Sequence, residues 1–169
     1  MTETEINPDW ERRSVALWAS IDDHEPAEFR DRVAALAAEA GEDSGLGDFE
    51  RAAAWDSTGH PDQAIPLYRE ALDKKVPGER RRRAVIQMSS SLRNVGHPDQ
   101  AVELLTAEMN SGSDHLDDAV KAVLALALTD VGREREAVSL VVGALAPHLP
   151  RYQRSMANYA RLLLEPEEP

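Results

Sequence analysis

Apolar residues recur along this chain at intervals of three and four on both sides of a regularly placed glycine, a pattern that predicts amphipathic helices. Met88, Leu92 and Val95 precede Gly96, and Ala101, Leu104 and Leu105 follow it, so the glycine marks a bend between two helices. Aligning on the bend gives three copies: "FERAAAWDSTGHPDQAIPLYREAL" from 49, "IQMSSSLRNVGHPDQAVELLTAEM" from 86 and "AVLALALTDVGREREAVSLVVGAL" from 122. The glycines Gly59, Gly96 and Gly132 are 37 and 36 residues apart, and the hexapeptide GHPDQA stands at the first two. Self-similarity at this period predicts a stacked array of helical hairpins.

The chemistry of the bend agrees with that reading. Glycine suits the position past a helix end, where the backbone turns left-handed. Pro61 and Pro98 suit the first position of the next helix, and Asp62 and Asp99 place negative charge at the positive end of its dipole. Ala64, Ala101 and Ala137 are small where two helices of a hairpin approach most closely.

The pattern continues beyond the three copies. Trp10, Ser14, Leu17 and Ile21 share a stripe that Asn7 can cap with Pro8 at the first position. Phe29, Val33, Leu36, Ala37 and Ala40 form a second stripe that Gly41 can end. Near the other end, Tyr152, Met156, Tyr159 and Leu163 are expected to be the buried side of a last helix, opposite Arg151, Arg154, Asn158 and Arg161. The expectation is nine helices and no strand in one domain over 1–169: a degenerate helix pair at 8–41, three repeats at 45–146, a capping helix at 150–164, and a loose tail, EPEEP.

These copies resemble the tetratricopeptide repeat, W-x2-L-G-x2-Y, then A-x3-F, then P. Ala64 with Tyr68, Ala101 with Leu105 and Ala137 with Val141 occupy the A-x3-F slots, and Trp55, Leu92 and Leu128 stand in the tyrosine slot. Ala52, Ser89 and Ala125 fill the small-residue slot. The departures are Asp48, Val85 and Lys121 in the tryptophan slot, Arg51 in the adjacent leucine slot, and prolines displaced by one at Pro77 and Pro150. The resemblance implies an all-α fold, a right-handed antiparallel helical-hairpin solenoid. The stretches "DSTGH", "LYREAL" and "SLRNVG" are similar to those of a group of small bacterial single-domain members without assigned activity.

Composition narrows the chemistry. Acidic residues outnumber basic ones 31 to 19, a formal charge of −12, which repels phosphate backbones and anionic lipid surfaces. Neither nucleic acid nor a membrane is therefore an expected partner. Without cysteine there is no disulfide, thiolate nucleophile or cysteine zinc site. The polar start and the lack of a long apolar run lead to the expectation of a cytoplasmic protein.

No residues group into an expected catalytic, cofactor or metal site. His60 and His97 hold equivalent positions in neighbouring repeats, about 8–10 Å or more apart, too far to share an ion. The acid pairs Asp22–Asp23 and Asp117–Asp118 read as helix-start charges, and "SGLGDF" as two glycines in a turn. No phosphate loop or nucleophile elbow occurs. The run Arg80 to Arg83 at the start of a helix opposes the helix dipole. It calls for neutralisation by acids such as Glu70, Asp73, Glu79 or those of the N-terminal helices, or else for an anionic or acidic ligand.

In the resembled family, ligands lie in the groove formed by the first helix of each repeat. By position this implies Phe49, Ala53, Asp56 and Ser57 from the first copy, Arg83, Ile86, Ser90, Arg93 and Asn94 from the second, and Ala122, Leu126, Thr129 and Asp130 from the third. Ile86 and Ser90 stand where some members place a carboxylate clamp, which leaves Arg83, Arg93 and Asn94 to grip a carboxylate or a backbone amide. The expected function is thus non-enzymatic binding of a peptide or protein segment. The alternatives are a scaffold that self-associates as a homodimer and a regulator that takes an acidic ligand at Arg80–Arg83.

Overall fold

A computed structural model of the protein describes residues 7–165, and the expected tail lies outside them apart from Glu165. The described residues form nine α-helices and no strand. They divide into two compact units, residues 1–91 and 92–169, with the boundary inside the fifth helix.

Residues 1–91 contain α1 (Pro8–Ala19), α2 (Pro26–Ala37), α3 (Leu46–Ser57), α4 (Pro61–Asp73) and most of α5 (Glu79–Asn94). The Asn7 side chain accepts the Asp9 N–H with Pro8 at the first helical position, as the sequence implied. Trp10 donates its indole N–H to the Leu36 carbonyl at 2.9 Å, tying α1 to the end of α2. Leu17, Trp18 and Ile21 close over buried Phe29, Val33 and Ala54, with the Trp18 and Phe29 rings edge to face at 5.1 Å. Helix α2 packs on α3, and α3 on α4, where Ala52, Ala53, Ala64 and Ala71 are buried.

Gly47, expected in a turn, lies instead in the first turn of α3. A β-carbon there would stand 2.7 Å from the Ala37 carbonyl oxygen, so the close approach of two backbones requires glycine.

Residues 92–169 contain the end of α5, then α6 (Pro98–Ser111), α7 (Asp117–Asp130), α8 (Glu134–Leu145) and α9 (Gln153–Leu162), each of the last three packing on its predecessor. Ala101, Leu105, Val120 and Ala127 are fully buried among them.

The three bends share one backbone design. Gly59, Gly96 and Gly132 have φ of 84°, 87° and 76°. In each case the glycine N–H reaches the carbonyl three residues back (Asp56, Arg93, Thr129) and the next N–H reaches five back (Trp55, Leu92, Leu128). This is the Schellman arrangement, which satisfies carbonyls that the helix end would otherwise orphan. Ala64, Ala101 and Ala137 are all buried, as the hairpin reading requires.

The last helix corrects one expectation. Its buried residue is Ala160, which faces Gly143 and whose carbonyl accepts the Ser139 hydroxyl at 2.7 Å. Tyr152 and Tyr159, expected on the packed side, are exposed. A close approach built on Ser139, Gly143 and Ala160 leaves no room for a tyrosine ring, so the helix is rotated to present its small residues.

Candidate functional site

The arginine run opens α5, and its members meet different fates. Arg80 donates from Nε to Glu50 Oε1 at 2.8 Å and from Nη2 to Glu11 Oε1 at 3.0 Å. Glu50 Oε2 also accepts the Trp18 indole N–H at 2.6 Å. Burial works to lower the Arg80 pKa, but the two carboxylates outweigh it and hold the guanidinium above its ordinary value. Neutralisation of Arg80 thus comes from α1 and α3. Arg82 is buried, and both it and exposed Arg81 are engaged by other groups.

Arg83 is half-buried, its guanidinium carbon 5.2 Å from the centre of the Phe49 ring. Phe49 is itself 1% exposed and lies 6.2 Å from the ring of buried Tyr68. Asp56, half-buried at the end of α3, accepts from Ser91 Oγ at 2.9 Å and from the Tyr68 hydroxyl at 3.5 Å. Burial and then the Asp56 charge push the Tyr68 phenol far above its ordinary range. Ile86 is buried and Ser90 half-buried. In residues 1–91, therefore, Phe49, Arg83 and Asp56 form one cluster through Tyr68 and Ser91, and the aromatic ring supports the cation from below.

In residues 92–169, Arg93 and Asp130 form an ion pair with each other. Asn94, Leu126 and Thr129 are exposed, with the Thr129 hydroxyl donating to the Ala125 carbonyl at 2.9 Å.

Two carboxylates of α3 are shifted in opposite directions. Burial pushes the Asp56 carboxyl above its ordinary value, and the hydrogen bonds from Ser91 and Tyr68 offset this only in part. For Asp48, burial acts in the same sense, but hydrogen bonds from Lys74 and Arg51 reverse it and leave the carboxyl below its ordinary value. The departures from the repeat pattern at Asp48 and Arg51 are thus partners, with Lys74 completing the set at 2.7 Å.

These shifts set the pH dependence. Ionised Asp56 opposes folding once the pH exceeds its folded-state value, and the opposition vanishes below the unfolded value of about 3.9. Asp48 favours folding above about 3.9, and that contribution is lost as pH falls through its lower folded value. Asp56→Asn is expected to raise the urea midpoint at pH 7, a difference gone by about pH 3.9, and Asp48→Asn to lower it, a difference that shrinks as the pH falls below about 3.9. Urea titrations at the two pH values check this, and a common sign at pH 7 would contradict it.

The Schellman bends, the buried alanines behind them and the repeat period define a protein built of helix–turn–helix repeats. A tetratricopeptide repeat family model matches residues 45–163, and the chain belongs to that family. The search of curated proteins and the search of solved structures each returned no match. Members of the family commonly mediate protein–protein interaction and are generally non-enzymatic. Among the described residues, no helix is long and apolar enough to cross a membrane.

Proposed function

We propose that the protein is a non-enzymatic interaction module that binds a peptide or protein segment along the first helices of its hairpins. The observation that carries this is Arg83. It is the half-buried member of an otherwise buried or engaged arginine run, laid on the Phe49 ring. An arginine in cation–π contact with a ring keeps N–H groups to donate, which suits a carboxylate or a backbone carbonyl. In residues 1–91 the contact is Arg83 with Ser90 beside it on α5, and in residues 92–169 it is Asn94 with Leu126 and Thr129. Arg93 is held by Asp130, so a ligand carboxylate reaches it only in exchange for that partner.

Panning a random peptide library on the immobilised full chain tests this reading. Enriched peptides are expected to carry an acidic side chain or a free C-terminus. Their affinity is expected to fall about tenfold or more in Arg83→Glu, as for loss of a charge-assisted hydrogen bond. Enriched peptides that bind Arg83→Glu and Asn94→Ala as tightly as the parent chain would remove the assignment.

A further inference from the structure

Helices α8 and α9 carry an apolar face that the described chain leaves open. Val138, Val141 and Leu145 are three and four residues apart, hence on one helical face, and they are 49%, 44% and 50% exposed. The equivalent slots of the earlier copies are closed: Tyr68 and Leu105, placed relative to Ala64 and Ala101 as Val141 is to Ala137, are both 0% exposed. Helix α9 could have covered the face, but it packs through Ala160 onto Gly143 and Ser139 and leaves its own Tyr159 and Leu162 exposed. An apolar area of this kind marks a place where another surface docks.

Charge says what kind of surface. From Ala137 to Leu164 the sequence holds Arg151, Arg154 and Arg161 and no aspartate or glutamate, in a protein with 31 acids. Arg161 is occupied by Glu165 and Asn158. Arg151 and Arg154 line an open depression of about 750 Å³ together with Tyr152 and Asn158.

From this we infer that the α8–α9 face docks an amphipathic, acidic α-helix of another polypeptide. Its apolar stripe packs on Val138, Val141 and Leu145, and its flanking carboxylates meet Arg151 and Arg154. A helix is the fitting occupant because the ridge formed at this spacing accepts the ridge of a second helix. Carboxylates fit because Arg151 and Arg154 are exposed and neither has an ion-pair partner among the described residues.

The probe is a synthetic helix-forming peptide with leucines at helical spacing and glutamates on the flanks, with a twin in which lysine replaces every glutamate. Fluorescence polarisation of each labelled peptide is followed as the full chain is added. The acidic peptide is expected to bind saturably and at least about tenfold more tightly than the basic one, the equivalent of about 1.4 kcal/mol. The doubly substituted Val138→Ser, Leu145→Ser chain, altered only at exposed positions, is expected to lose about tenfold or more of that affinity. Arg151→Glu with Arg154→Glu is expected to reverse the preference between the peptides. Absence of saturable binding, equal binding of the two peptides, or indifference to the α8 and α9 substitutions would overturn the inference. So would light scattering that shows a dimer abolished by Val138→Ser and Leu145→Ser, since the occupant would then be a second copy.

Discussion

Replacing Arg80 with alanine is expected to lower the free energy of unfolding by about 3–5 kcal/mol, the cost of leaving one member of a buried ion pair alone. Glu50 is the reason. Its side chain is 4% exposed, and its charge is met by Arg80 Nε and the Trp18 indole N–H. Without the arginine, the carboxylate keeps one neutral donor and loses the opposite charge that offsets its desolvation. Glu11, which Arg80 also grips, is far more accessible and contributes little to the loss because water can replace its partner. Urea unfolding followed by circular dichroism measures the effect, and a loss below about 1 kcal/mol would place Glu50 in a wetter site than the fold shows. The double variant Arg80→Met, Glu50→Leu separates pairing from packing. It is expected to recover most of the stability, because apolar groups of similar volume carry no desolvation cost.

The same network shows which parts of this molecule can be read from its sequence. The bends were legible because their requirements are local: a positive φ needs glycine, a first helical turn tolerates proline, and a close helix contact needs alanine. The long-range ion pairs were legible only in kind. Four arginines in a first helical turn demand acids nearby, but Glu50 and Glu11 are distant in sequence, and no local rule selects them. Asp48 and Arg51 looked like two separate losses from the repeat pattern, although their spacing on one helix is that of an ion pair. The tyrosines of α9 misled because hydrophobic periodicity ranks large residues first, whereas this contact is governed by how closely two backbones approach at Gly143 and Ala160. Groove positions taken from register alone include three inward residues, Phe49, Ala53 and Ile86, and two that satisfy each other, Arg93 and Asp130. Register fixes where a residue stands along a helix; its neighbours decide whether it meets water.

That distinction yields a graded result at one slot of the repeat. Tyr68→Ala is expected to cost about 3–5 kcal/mol and Leu105→Ala about 2–5 kcal/mol, since both side chains are fully buried and their removal leaves a cavity. Tyr68 also loses its contacts with the Phe49 ring and the Asp56 carboxylate. Val141→Ala, at the third occurrence of the slot, is expected to change stability by less than about 0.5 kcal/mol, because it leaves an exposed site and gains a better helix former. Three urea midpoints decide the matter. If Val141→Ala proves as costly as Leu105→Ala, the α8 face is already covered within the chain and is no surface for a partner. If it is neutral while the other two variants are severely destabilised, then the valine at this slot does not serve folding, and the apolar side chain held there is available for contact with another molecule.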